Sequence, residues 1–129
     1  MVKRISTGSP FEATFGYSRA VVDGDRVHVS GTTGYDYAVM KMPESVGEQA
    51  KNALNTIEKA LNEAGARMAD VVRVTYYVGE RAYVGDLVKA VGPVFKDIRP
   101  AATILLVGML EEAMKLEIEV EARIGASQS

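Results

Sequence analysis

The chain has 129 residues, 47% of them hydrophobic and 25% charged, with a formal net charge of −2, one histidine and no cysteine. That length and balance fit one globular domain spanning 1–129 and leave too little chain for a second core. The missing cysteines exclude disulfide and thiolate chemistry, and a single His28 excludes His-rich metal sites and any triad that does not run through that ring.

The slight negative charge gives no long-range pull toward phosphate backbones, so nucleic acid is a poor expectation. The longest apolar run, Ala101 to Val107, is far short of the ~20 residues a membrane-spanning helix needs. The opening Met1-Val-Lys-Arg-Ile-Ser6 leads into no apolar stretch of signal type, and a cytoplasmic address is expected.

In chain order, the first regular element is a hairpin. Val21-Val22 and Val27-Val29 flank Asp23-Gly24-Asp25, a turn composition in which Gly24 can take positive φ, and the second strand is expected to reach about Gly31. Thr32 to Pro43 carries Gly34 and the pair Tyr35 and Tyr37 without a stable period, and reads as a loop. Ser45 and Glu48 have the spacing of a capping box. Val46, Ala50, Ala53, Leu54, Ile57, Leu61 and Ala64 then recur at helical spacing up to Gly65, a left-handed cap.

Val71 to Val78 is rich in β-branched and aromatic residues. Its alternation predicts a strand with Val72, Val74, Tyr76 and Val78 on one face and Arg73, Thr75 and Tyr77 on the other. Tyr83, Val84, Leu87, Val88, Val91, Val94 and Phe95 form a second helical stripe, which Gly92-Pro93 is expected to kink or end early. Ala101 to Val107 is apolar without alternation, the pattern of a strand buried on both faces. Lys115 to Ile124 alternates strictly, with Leu116, Ile118, Val120, Ala122 and Ile124 opposing Lys115, Glu117, Glu119, Glu121 and Arg123. Gly125 to Ser129 reads as a frayed tail.

Two helices cover only one face of a sheet of five or six strands. The other face meets water or another chain, and the apolar run at Ala101–Val107 argues for identical subunits. Arg26, His28 and Ser30, with Arg73, Thr75 and Tyr77 and with Glu117, Glu119 and Glu121, fall on that uncovered side. Alternating charges on a strand are usually a solvated face, and a lone histidine is more often a hydrogen-bonded strand residue than a general base.

Several strings stand in a telling order: Gly16-Tyr-Ser-Arg-Ala-Val21, Val27-His-Val-Ser-Gly31, Gln49 to Asn52, Leu61-Asn-Glu-Ala-Gly65, Asp70-Val-Val-Arg-Val-Thr75, Arg99-Pro-Ala101 and Leu116-Glu-Ile-Glu119. Together they resemble the Rid family (YjgF-type, reactive intermediate deaminase) over roughly Tyr17 to Ile124. The resemblance implies an α+β, chorismate-mutase-like fold, a mixed sheet with two helices packed on one face. It also implies a homotrimer joined through the sheets' other faces, with a small-metabolite cleft at each interface. Active family members hydrolyse enamines and imines such as 2-aminoacrylate without metal or organic cofactor.

Carried over residue by residue, the resemblance implies that Tyr17, Ser30 and Gly31 bind substrate and that Glu117 handles a water, with Ala102 and Ile104 also in the binding site. Tyr35 and Tyr37 are candidates for a lid. The family's substrate-clamping arginine, which follows Pro-Ala, is replaced here by Ala102, and a family asparagine in the second helix by Val88. A bidentate arginine offers charge-assisted bonds that alanine lacks, so efficient turnover of 2-aminoacrylate is not expected. Arg99 and Arg73 are the candidates to compensate. Two readings follow: hydrolysis of an imine or enamine other than 2-aminoacrylate, and a non-catalytic metabolite-binding or regulatory module using the same cleft. RNA cleavage, a label long attached to this family, has no basic patch or aromatic platform behind it here.

Overall fold

The computed structural model describes residues 2–128. Its strands are β1 (Val2–Ile5), β2 (Ala20–Asp23), β3 (Arg26–Thr33), β4 (Val71–Val78), β5 (Ala101–Leu106) and β6 (Leu116–Arg123). Its helices are α1 (Pro10–Phe15), α2 (Val46–Glu63) and α3 (Val84–Phe95). The strands form one mixed sheet in the order β1-β2-β3-β6-β4-β5, antiparallel except for β4 beside β5. No helix among the described residues is long and apolar enough to cross a membrane.

The hairpin closes as expected, with Asp23 opposite Arg26 and Gly24 at φ 64° in the two-residue loop. Helix α2 starts where Ser45 Oγ accepts the Glu48 N–H at 3.0 Å, and ends at Gly65, whose φ of 89° suits a residue without a Cβ. Its stripe of Ala50, Ala53, Leu54, Ile57 and Leu61 meets Val27, Val29, Ile118, Val120 and Ala122 of the sheet and Leu87, Val91 and Phe95 of α3 in one buried cluster. All of this core lies on one side of the sheet.

Several expectations are corrected. In β4 a bulge between Val71 and Arg73 shifts the parity, so Val71 joins Val74, Tyr76 and Val78 in the core while Val72 is exposed. Helix α3 runs through Pro93 to Phe95: the proline sits in the last turn, where few amide bonds remain to be lost, and buried Val91 and Phe95 hold both its flanks. Strand β3 takes in Thr32 and Thr33.

Strand β5, expected to be buried on both faces, is an edge strand of the sheet, with Ile104, Leu105 and Leu106 each more than two-fifths exposed. Its unbroken apolar run demands cover that this chain does not supply. The tail is tied down as far as Gln128, since Ser127 N–H donates to the buried Asp70 carboxylate at 2.9 Å; Ser129 lies outside the described residues. Strand β1 and helix α1 were not anticipated, although Ser9-Pro10 caps and starts α1 and Gly16, at φ 75°, ends it.

Candidate functional site

The polar strand residues named above do face away from the helices. What distinguishes one end of that face is a bulge in β3. Val29 pairs with Val120 and Thr32 with Ile118, so Ser30 and Gly31 together oppose Glu119 alone. The extra residue lets Val29 and Thr32 both point into the core while Ser30 and Gly31 stay on the open side. Ser30 is pinned there, its N–H donating to Arg19 O at 2.9 Å and its hydroxyl to Ser18 O at 2.6 Å. That hydroxyl's proton is therefore committed, and toward a ligand Ser30 offers lone pairs.

Beside the bulge lies an open groove of about 640 Å³. Its lining comes from Phe11 and Phe15 of α1, Tyr17 after it, Ser30, Gly31 and Thr33 of β3, Tyr37, the β5–β6 connection (Leu110, Glu111, Met114), and Glu117 and Glu119 of β6. Glu119 accepts from Tyr77 Oη at 2.8 Å, and Glu111 accepts from Tyr35 Oη.

Glu117 differs from both neighbours. It is half-buried and no described residue hydrogen-bonds its carboxyl. Burial pushes its pKa up, the nearby Arg19 guanidinium pulls it partly back, and Glu119 adds to the rise. Gly31 makes room for it, because a Cβ at position 31 would lie 2.7 Å from Glu117 Cδ and 2.8 Å from Oε1. A carboxyl short of partners and raised in proton affinity is suited to take up and return a proton.

Beneath the groove sits Arg19, fully buried and not singled out from the sequence, where a lone arginine reads as surface. Its Nη1 donates to Gly31 O at 2.8 Å and Thr32 Oγ1 at 2.9 Å, and its Nη2 to Tyr17 Oη at 3.3 Å. The guanidinium also lies 5.5 and 5.4 Å from the ring centroids of Tyr17 and Tyr37. Its charge is answered by buried Glu12, 3.9 Å away. Burial works to raise the Glu12 pKa, but hydrogen bonds from Thr7 and Ser6 and the arginine itself hold it below the usual range.

Of the residues expected at the site, Tyr17, Ser30, Gly31, Tyr37 and Glu117 come together in the groove. Tyr35 does not line it. It lines a second hollow of about 460 Å³ against α2, which it shares with Tyr37, and its hydrogen bond to Glu111 pushes its pKa to about 12. Ala102 and Ile104 lie on exposed β5, separated from β6 by β4. Arg73 donates to Thr103 Oγ1 at 2.7 Å and Arg99 is exposed at the turn into β5, so neither reaches Glu117's groove within this chain. His28 pairs across strands with Glu121 at 3.0 Å, half exposed, as a strand histidine does. No cluster of three or more His, Asp or Glu among the described residues is arranged to hold a metal ion.

The sequence profile of the Endoribonuclease L-PSP family matches residues 7–124. The chain belongs to this family, also known as Rid or YjgF. An uncharacterized protein of Streptomyces coelicolor is 35% identical over 129 residues, covering 99% of this chain and 96% of its own length. The rat 2-iminobutanoate/2-iminopropanoate deaminase is 31% identical over 121 residues, 93% of this chain and 88% of that protein. A Mycobacterium tuberculosis member of the YjgF/YER057c/UK114 family superposes with a TM-score of 0.87 at 35% identity, covering 96% of this chain and all of that one. The YjgF gene product of Escherichia coli does so with a TM-score of 0.83 at 25% identity, covering 94% and 98%. The α+β, chorismate-mutase-like sheet expected from the sequence is thus the architecture of this L-PSP chain.

Proposed function

We propose that this protein hydrolyses the C=N bond of a small imine, or of its enamine tautomer, whose reacting end bears no carboxylate, and that it does so in grooves completed by sister copies in a homotrimer. The observation that carries the reading is Glu117: a half-buried carboxyl without a hydrogen-bond partner among the described residues, raised in proton affinity, facing a groove shaped around it by Gly31.

The chemistry asks little else. Glu117 accepts a proton from water as the water oxygen bonds to the imine carbon and the π pair moves to nitrogen, which takes that proton from Glu117. The carbinolamine then passes its hydroxyl proton to the freed carboxylate, which delivers it to nitrogen as the C–N bond breaks, so that ammonia leaves and a carbonyl remains. For an enamine, Glu117 in its acid form first protonates the carbon to give the iminium.

The lining favours a substrate without a carboxylate. Glu111, Glu117 and Glu119 border the groove, no lysine or arginine lines it, and Ala102 stands where the family resemblance places the clamping arginine. The trimer is supported by β5, whose exposed Ile104, Leu105 and Leu106 form an apolar edge that a monomer would leave open to water. In such an assembly Ala102 and Ile104 of one copy would border the groove of the next.

The test compares imines made in situ by an amine oxidase, which bear no carboxylate, with those made by an amino-acid oxidase, read by competition with semicarbazide trapping. Faster hydrolysis of the amine-derived imines is expected. No acceleration over buffer with either set refutes catalysis. If metabolites nonetheless raise the melting temperature, the second reading, a binding module, stands in its place; Ala102 is the residue that favours it.

A further inference from the structure

We propose that Arg19 is a positioning residue that makes Tyr17 a hydrogen-bond donor toward the groove, so that the ligand places an uncharged acceptor, an imine nitrogen or a carbonyl oxygen, against the Tyr17 hydroxyl. The inference rests on the groove being the binding site, as argued above, and adds the polarity of what binds.

A guanidinium has five N–H donors and no acceptor. In the contact between Arg19 Nη2 and Tyr17 Oη the phenol oxygen must therefore accept, and its own proton must go elsewhere. No other hydrogen bond to that hydroxyl is formed among the described residues, and Tyr17 borders the groove, so the proton is left for whatever enters. A cation on the oxygen's far side polarises the O–H and strengthens it as a donor.

Arg19 itself cannot serve as a clamp. It is fully buried, two of its other donors are spent on Gly31 O and Thr32 Oγ1, and Glu12 balances its charge. The same side chain also sets the bulge. Thr32 accepts from Arg19 and passes its own proton to Ser30 O at 2.8 Å, so one guanidinium fixes Tyr17, Gly31 and, through Thr32, Ser30. The lining then offers a ligand neutral donors at Tyr17 and at whichever of Thr33 and Tyr37 does not donate to the other, acceptors at Ser30 and three carboxyls, and no cation. An anionic headgroup is repelled there, whereas a neutral acceptor is matched.

The test uses protein labelled at tyrosine Cζ with ¹³C, with the Tyr17 resonance assigned through Tyr17→Phe, and benzamide and benzoate as probes at neutral pH. Benzamide is expected to shift the Tyr17 line saturably and benzoate to leave it in place. Arg19→Lys keeps the charge without the fork, and Arg19→Gln removes the charge. Both are expected to weaken benzamide about tenfold, the loss of one good hydrogen bond. Tyr17→Phe should weaken it equally, and adding Arg19→Lys to Tyr17→Phe should bring no further loss.

Equal benzamide affinity in wild type and the Arg19 variants, losses that multiply in the double variant, or benzoate binding as well as benzamide would overturn the proposal. Should the Arg19 variants fail to fold, Tyr17→Phe decides alone: it leaves the core intact, and unchanged benzamide affinity in it refutes the donor role. Hydrolysis of benzaldimine, generated from benzylamine by an amine oxidase, is measured separately. Its absence in the wild type sinks the hydrolase reading, while benzamide binding still decides the pairing of Arg19 with Tyr17.

Discussion

Gly31 and Gly34 are three residues apart, and neither needs a positive φ. Alanine is nevertheless expected to do opposite things at the two positions. At Gly31 the new Cβ would lie 2.7 Å from Glu117 Cδ and 3.1 Å from Cγ, so the carboxyl must retreat to the ~3.4 Å or more of ordinary packing. It can do so by rotating, because it is a side-chain end that no described residue hydrogen-bonds. The fold should therefore keep its melting temperature to within a few degrees, with the lowered chain entropy of the unfolded state partly offsetting the contact, an effect of about 0.4–1 kcal/mol. The displacement, of the order of 1 Å, falls on the proposed base, and misplacement on that scale costs on the order of 10²-fold in rate.

At Gly34 the Cβ would meet Gln49 Cα and Cβ at 2.5 Å, and backbone cannot rotate away. Helix α2 must move off β3, which at about 1–3 kcal/mol for an overpacked core, and roughly 4 °C per kcal/mol for a chain of this length, lowers the melting temperature by some 4–12 °C. The pair is measured by imine-hydrolysis rates alongside thermal melts. A Gly31→Ala protein with wild-type rates would show that Glu117's position is immaterial, and the mechanism would fall with it.

Three further outcomes are expected. Burial raises the Glu117 pKa above its ordinary value of 4.5, so the folded protein holds that proton more tightly than the unfolded chain; its contribution to stability is complete below that value and is lost as pH climbs through the folded one. Glu117→Gln should flatten this part of the melting profile, raise the melting temperature at neutral pH and lower imine hydrolysis by about 10²-fold or more. Gln49, fully buried, holds Pro43 O at 2.7 Å, Ala113 O at 2.9 Å and Lys115 N–H at 3.0 Å, so Gln49→Ala should cost about 3 kcal/mol, or roughly 10 °C by calorimetry, as those groups lose their partner. Leu105→Lys places a charge on the open edge strand and should shift sedimentation from a trimer to single chains; a wild-type chain already monomeric at micromolar concentration would refute the assembly.

What the sequence disclosed, and what it withheld, follows the range over which the physics acts. The Asp23-Gly24-Asp25 turn, the Ser45 cap with Gly65 at the far end, and the alternation of Leu116 to Ile124 are decided within a few residues, and each was readable. Both bulges escaped. A bulge changes strand parity by one residue without changing composition, so Val72 looked like a partner of Val74, and nothing local showed that Ser30 and Gly31 would share one face. Strand β5 misled for another reason: an apolar run records that something covers the strand, and the chain alone does not say what.

The groove shows why its pieces had to be read together before any one of them made sense. Gly31 stands out in the sequence only as part of Ser-Gly, while its physical reason is a carboxyl 86 positions further along, brought beside it by the β3–β6 ladder. Arg19 reads as one more surface charge until Glu12 and the carbonyl of Gly31 close around it. The open groove, the half-buried carboxyl and the buried cation are thus consequences of one arrangement. The bulge turns Ser30 and Gly31 outward, Arg19 fills the space beneath the turned backbone, and Glu117 occupies the space that a Gly31 side chain would have taken. A family member with a larger residue at position 31 would have to move its carboxyl or give up the groove, whatever the rest of its lining.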